Sequence, residues 1–124
     1  VTTESVIRDF IVAVNDHDVA RIVALSTDDH QFVDAHGVAV QRQALEAAWT
    51  GYFAFMPRYG IEVEAILCDG DTGAVFGSAW GGLDESNSTT RSWRRPCAWR
   101  AVVADSRIRL WQVYVDTKAV FDLL

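Results

Sequence analysis

Val6, Ile7, Phe10, Ile11 and Val14 recur at the spacing of one helix face, which predicts a helix over about residues 3–15. "NDHD" breaks it, and Asp18 is placed to cap a second helix, "VARIVALS", that ends near Ser26. "TDDH" reads as a turn and "QFVDA" as a short strand, with Gly37 permitting the sharp bend that follows. A third helix is expected from about Gln41 to Met56, its apolar stripe formed by Leu45, Ala48, Trp49, Tyr52 and Met56. Pro57 and Gly60 end it.

From Gly60 onward the period falls to two. "GIEVEAILCD", "AVFGSAWGGL", "SWRRPCAWRAVVA" and "IRLWQVYVD" read as four long antiparallel strands, joined through "GDTG", the polar and mobile loop "DESNSTTR", and "ADSR". The tail "TKAVFDLL" suits either a helical turn or a strand extension. The order of elements gives an α+β class: three N-terminal helices packed in a curved, mostly antiparallel sheet.

The chain has 124 residues, half of them hydrophobic and 23% charged, which fits one globular domain over 1–124 with a real core. Its net charge of -6 argues against nucleic acid or an anionic membrane as partner. No apolar run approaches a membrane span, and "VTTESVIRDF" does not read as a secretory signal. Cys68 and Cys97 make no disulfide framework; two reduced thiols imply a cytoplasmic setting. His17, His30 and His36 lack a tight metal-ligand spacing, and His17 and His30 are expected at the surface. There is no HExxH or CxxC, no phosphate loop and no nucleophile elbow, so neither metal nor cofactor is expected.

"FIVAVNDHDVARIVALSTDDHQFVDAHG" resembles the opening of the SnoaL-like and ketosteroid-isomerase-like proteins of the nuclear-transport-factor-2-like superfamily. "RIRLWQVYVD" resembles their last strand. The resemblance implies a cone-like α+β barrel, a pocket between helices and concave sheet, and a homodimer through the outer sheet face. It also places Asp34 where ketosteroid isomerases carry their general base. The positions of that enzyme's two oxyanion donors fall at Phe10 and at or near Ala98, neither of which offers a hydroxyl or acid, so steroid isomerisation by that route is improbable.

Strand alternation supports a role for Asp34. Phe32 and Asp34 share a face, and a carboxylate turned into an apolar pocket is driven toward the working range of a proton-transfer base. If Ala98 points inward, Arg100 does too, and could serve as its cationic partner or as an oxyanion donor. On that parity Trp93 and Trp99 face outward and form the dimer surface. His36 sits at the pocket mouth as an acid–base candidate. Phe10, Trp49, Tyr52, Phe53, Phe76, Ser78, Trp80, Trp111 and Val113 are the expected pocket wall, with Gly77, Gly81 and Gly82 bending the sheet or leaving room for a ligand.

Three functions compete. The first is a cofactor-independent enzyme acting on a small hydrophobic carbonyl compound, with Asp34 as base and Arg100 or Tyr52 as oxyanion donor. The second is an epoxide-hydrolase-like set of Asp34, Arg100 and Asp116; "WRA" lacks a second acid two residues after the arginine, which counts against it. The third is a binding or dimerisation domain for a small hydrophobic ligand, without chemistry.

Overall fold

The computed structural model describes residues 1–83 and 92–123; the polar stretch 84–91 lies outside the described residues. Helix α1 (Thr3–Asn15) buries the five predicted apolar positions. It opens with a reciprocal cap: the Ser5 N–H donates to Thr2 Oγ1 at 3.0 Å and the Thr2 N–H donates to Ser5 Oγ at 2.9 Å. Helix α2 (Val19–Ala24) is capped by Asp18, as its sequence predicts; the Asp18 carboxylate accepts the Arg21 N–H at 3.1 Å.

Strand β1 (Ser26–Val33) begins earlier than expected and absorbs the segment "TDDH". Its two aspartates are exposed, while Ser26, Thr27 and His30 are buried, so the polar run is a strand with an inward polar face. Register slips between Ser26 and Gln31 where β1 pairs with β6, which lets the Asp–Asp pair bulge outward. A short strand β2 (Ala39–Gln41) and one 3-10 turn precede α3 (Leu45–Phe55), which starts later than expected. The four long strands follow as β3 (Gly60–Asp69), β4 (Thr72–Gly82), β5 (Ser92–Ala104) and β6 (Arg107–Tyr114), and the tail forms a single helical turn, α4 (Lys118–Phe121).

The curved, open sheet runs β2-β1-β6-β5-β4-β3. Only the β1–β6 pair is parallel. Pro96 is tolerated in β5 because β6 pairs only from Ala98 onward. A Cβ on Gly77 would strike the Glu62 carbonyl, at the point where β3 slips register between Val63 and Ala65. A Cβ on Gly81 would lie 2.8 Å from the Trp93 indole, so this glycine lets the ring lie against β4.

The parity of β5 reverses the expectation. Trp99 is 1% exposed and stacks on Trp111 at 6.2 Å between ring centroids, and Phe10 packs on Trp111 at 4.9 Å. Trp93, Cys97, Trp99 and Ala101 therefore face inward. Arg94, Pro96 and Arg100 face out, in register with Trp80, Ser78 and Ala74. Two indoles bury far more apolar area than the polar set opposite, and arginine almost never enters a core unpaired. Trp93 and Trp99 thus cannot form the dimer surface; the outer face instead carries Leu67, Phe76 and Tyr114 as exposed apolar groups. Among the described residues no helix is long and apolar enough to cross a membrane.

His17 and His30 also depart from the expected surface positions. His30 is fully buried, its Nδ1–H donating to the Ile108 carbonyl at 2.7 Å, which leaves Nε2 unprotonated and without a partner. Burial holds its pKa below the usual histidine value, with the Arg42 charge acting the same way; the Ile108 bond and Asp29 oppose the shift.

Two measurements follow from the core. Trp99→Ala should cost about 3–5 kcal/mol in chemical denaturation, while Arg100→Ala should stay within about 0.5 kcal/mol. His30 binds its proton more readily unfolded than folded, so stability should fall as pH drops below the unfolded value of 6.5 and change little above it. Denaturation midpoints between pH 7 and pH 5 should show a shallower loss in His30→Gln than in the wild type.

Candidate active site

The turn from β1 to β2 places Asp34. Its Oδ1 accepts the N–H of His36 at 2.8 Å and of Val38 at 3.0 Å, while its own N–H donates to the Val38 carbonyl at 3.0 Å. Gly37, at φ +81°, closes the loop. One carboxylate oxygen is thereby committed to the turn; among the described residues, Oδ2 has no hydrogen bond or ion pair.

Asp34 borders a cavity of about 350 Å³ between α3 and the inner sheet face. Phe32, Val113, Val115, Cys97 and Ala79 pave the sheet side. Trp49, Tyr52 and Met56 wall it from α3, with Tyr59 and Trp93 beside them. Val120 and Phe121 of α4 close the other end, where Phe121 packs against the His36 ring at 5.6 Å.

The predicted residues separate cleanly. Asp34, His36, Trp49, Tyr52 and Val113 line the cavity. Phe10 and Trp111 are fully buried core, and Phe53 stacks on His17 at 4.0 Å; none of the three lines it. Phe76, Ser78 and Trp80 lie on the outer face, Trp80 beneath the Arg94 guanidinium at 5.2 Å. Arg100 lies on that outer face as well and cannot meet Asp34. Asp116 is exposed at the end of β6, its carboxylate accepting the Lys118 N–H at 3.0 Å and lying 3.9 Å from Arg95. The acid–arginine–acid set does not assemble.

The cavity also takes in Tyr59, Trp93 and Cys97, none of which the sequence placed in it. Tyr52 and Tyr59 meet edge to face at 5.0 Å, and Tyr59 lies 6.2 Å from Trp93. Burial pushes both phenols well up from the ordinary tyrosine value; Cys97 adds to the shift of each, and Tyr52 further raises Tyr59. Both stay neutral O–H groups at any working pH. Neither hydroxyl has a hydrogen-bond partner among the described residues. Burial also raises the Cys97 thiol, against smaller opposing effects of the Ala79 backbone and Arg95.

The "N.HD" pattern holds Tyr59 in place. Asn15 Nδ2 donates to the Ile61 carbonyl at 2.9 Å, and Asn15 Oδ1 accepts the Ile61 N–H at 2.7 Å. His17 Nε2–H donates to the Tyr59 carbonyl at 2.7 Å. The end of α1 is thus clamped to the start of β3. The signal for the inner face was present in β5 itself, where one alternate set holds two tryptophans, a cysteine and a single arginine, Arg95, and the other two arginines and a proline.

The sequence profile of the SnoaL-like domain matches residues 7–111. No curated protein sequence matches the chain significantly. Among solved structures, a protein with a ketosteroid isomerase-like fold from Catenulispora acidiphila, in complex with trimethylamine, superposes at TM-score 0.84 with 16% identity over 98% of this chain and 93% of that one. IdmH, a candidate polyketide cyclase from Streptomyces antibioticus, gives 0.81 at 19% identity over 99% and 98%. An LEH-like epoxide hydrolase from M. tuberculosis gives 0.81 at 15% identity over 98% and 84%. Likeness at these identities concerns the fold.

The cavity predicts a thiol experiment. Cys68 is exposed and Cys97 is buried. A thiol reagent should react fast with one equivalent in the native protein, and Cys68→Ser should abolish that phase. A fast second equivalent would mean that the cavity opens readily to solvent.

Proposed function

Since the chain belongs to the SnoaL-like domain family, we propose that it is a cofactor-independent enzyme that moves a proton on a small hydrophobic carbonyl compound, with Asp34 as the base. One observation carries the reading: a carboxylate fixed through Oδ1, with Oδ2 unengaged, at the edge of an otherwise apolar cavity of about 350 Å³. Oδ2 would take a proton from a ring carbon conjugated with the carbonyl, and the C–H electron pair would move through the conjugated system onto the enolate oxygen. Return of the proton to a different carbon isomerises the substrate; alternatively the enolate carbon attacks a second carbonyl, whose π pair moves to its oxygen, and that alkoxide takes the proton back from Asp34, closing a ring. Tyr52, held neutral by burial, is a hydrogen-bond donor for the enolate oxygen, and His36 sits beside Asp34 at the mouth.

A second reading has its own support. The two N–H bonds to Oδ1 explain Asp34 by turn geometry alone, which suits a ligand-binding domain without chemistry. Asp34→Asn separates the two, because the amide oxygen can keep both turn bonds while the base is lost. In D₂O, wild-type protein should accelerate deuterium uptake at the second-ring γ-carbon of the bicyclic enone 4,4a,5,6,7,8-hexahydro-2(3H)-naphthalenone, and Asp34→Asn should reduce that rate by about 100-fold or more with folding intact. Equal rates for the two proteins would remove Asp34 from any chemistry and favour the binding domain.

A further inference from the structure

The cavity is polar at two ends. Asp34 comes from the β1–β2 turn, at one edge of the sheet. Tyr59 immediately precedes β3, the strand at the other edge, and Tyr52 of α3 meets it edge to face. Between them the lining is apolar: Phe32, Val113 and Val115, then Cys97 and Ala79. Two strand spacings, about 10 Å, separate β1 from β5, where Cys97 stands beside the phenols. No lysine or arginine lines the cavity among the described residues. The nearest inward cation, Arg95, is half-exposed and turned toward Asp116 at 3.9 Å.

We propose that Tyr52 and Tyr59 together form the oxygen-recognition site of the cavity, and that the ligand is an uncharged ketone or phenol on a flat two-ring frame, its oxygen on the tyrosine pair and its far edge toward Asp34. Two neutral O–H groups without a protein partner can donate to a carbonyl or enolate oxygen with no reorganisation. The same site rejects a carboxylate ligand: an apolar cavity charges the full desolvation cost of an anion, and Asp34 adds repulsion. Burial keeps both phenols protonated, as donation requires. The span from Asp34 to the tyrosines selects conjugated frames, which relay charge from the deprotonated carbon to a distant oxygen. The assignment of a reactive carbon near Asp34 rests on the proton-transfer reading; the oxygen site itself does not.

Three ligands of one shape test it: naphthalene, 2-acetylnaphthalene and 2-naphthoate, titrated by intrinsic tryptophan fluorescence or calorimetry. The ketone should bind wild-type protein at least tenfold more tightly than either of the others. Tyr52→Phe and Tyr59→Phe, made singly, keep the rings and remove one oxygen each. Each should weaken the ketone severalfold while leaving naphthalene unchanged, so naphthalene serves as the control for an intact cavity. A ketone no tighter than naphthalene, or one indifferent to both substitutions, overturns the proposal. So would a preference for naphthoate, and its loss in Arg95→Gln would then assign anion recognition to Arg95. These affinities do not depend on turnover. Ketone binding that keeps its tyrosine dependence while Asp34→Asn leaves deuterium uptake unchanged would refute the base and spare the oxygen site.

Discussion

The inward stacking of Trp99 on Trp111 fixes what every other inner-face residue can do. Side chains alternate along a strand, so once Trp99 is buried, Cys97 and Trp93 must follow it inward and Arg100 must leave. A slip of one residue in β5 would expose two indoles and bury two arginines. The hydrophobic cost of that slip, a few kcal/mol for each large side chain, exceeds anything a single internal ion pair could return. That parity takes Arg100 out of the cavity and turns Arg95 inward, but Arg95 lies 3.9 Å from Asp116 and does not line the cavity, whose far edge carries the Tyr52 and Tyr59 phenols.

On the proposed reading Asp34 would have two jobs on separate oxygens: Oδ1 secures the turn that joins β1 to β2, and Oδ2 would meet the ligand. An acid that is also a turn acceptor is held in one rotamer, which is what a positioned base needs. At the opposite edge, the clamp from Asn15 and His17 performs the corresponding service for Tyr59. The two ends of the cavity are thus built from backbone hydrogen bonds close to Asp34 and Tyr59, and the apolar sheet spans the gap.

Much of the fold was legible because its signals were local: the period of α1, the Asp18 cap, the period-two strands and their turns, and the SnoaL-like order of elements. That Asp34, His36, Trp49, Tyr52 and Val113 border one cavity was legible too, from residue periodicity and resemblance. The polarity of "TDDH" concealed a strand, because pairing with β6 overrides local turn preference. Arg100, Phe76, Ser78 and Trp80 were misplaced by a parity carried over from a distant family, against the alternation of β5's own residues. His30 and Tyr59 were obscured for another reason. Their environments are made by partners far along the chain, Ile108 for one and His17 for the other, and such pairings have no local signature.

The most direct test is a crystal structure with 2-acetylnaphthalene bound. An uncharged recognition end at Tyr52 and Tyr59 requires the ketone oxygen within about 3.2 Å of at least one phenol oxygen. It also requires the far ring edge to lie toward Asp34 Oδ2. Density showing the oxygen at the Asp34–His36 end, or the ligand bound outside the cavity, would contradict the account.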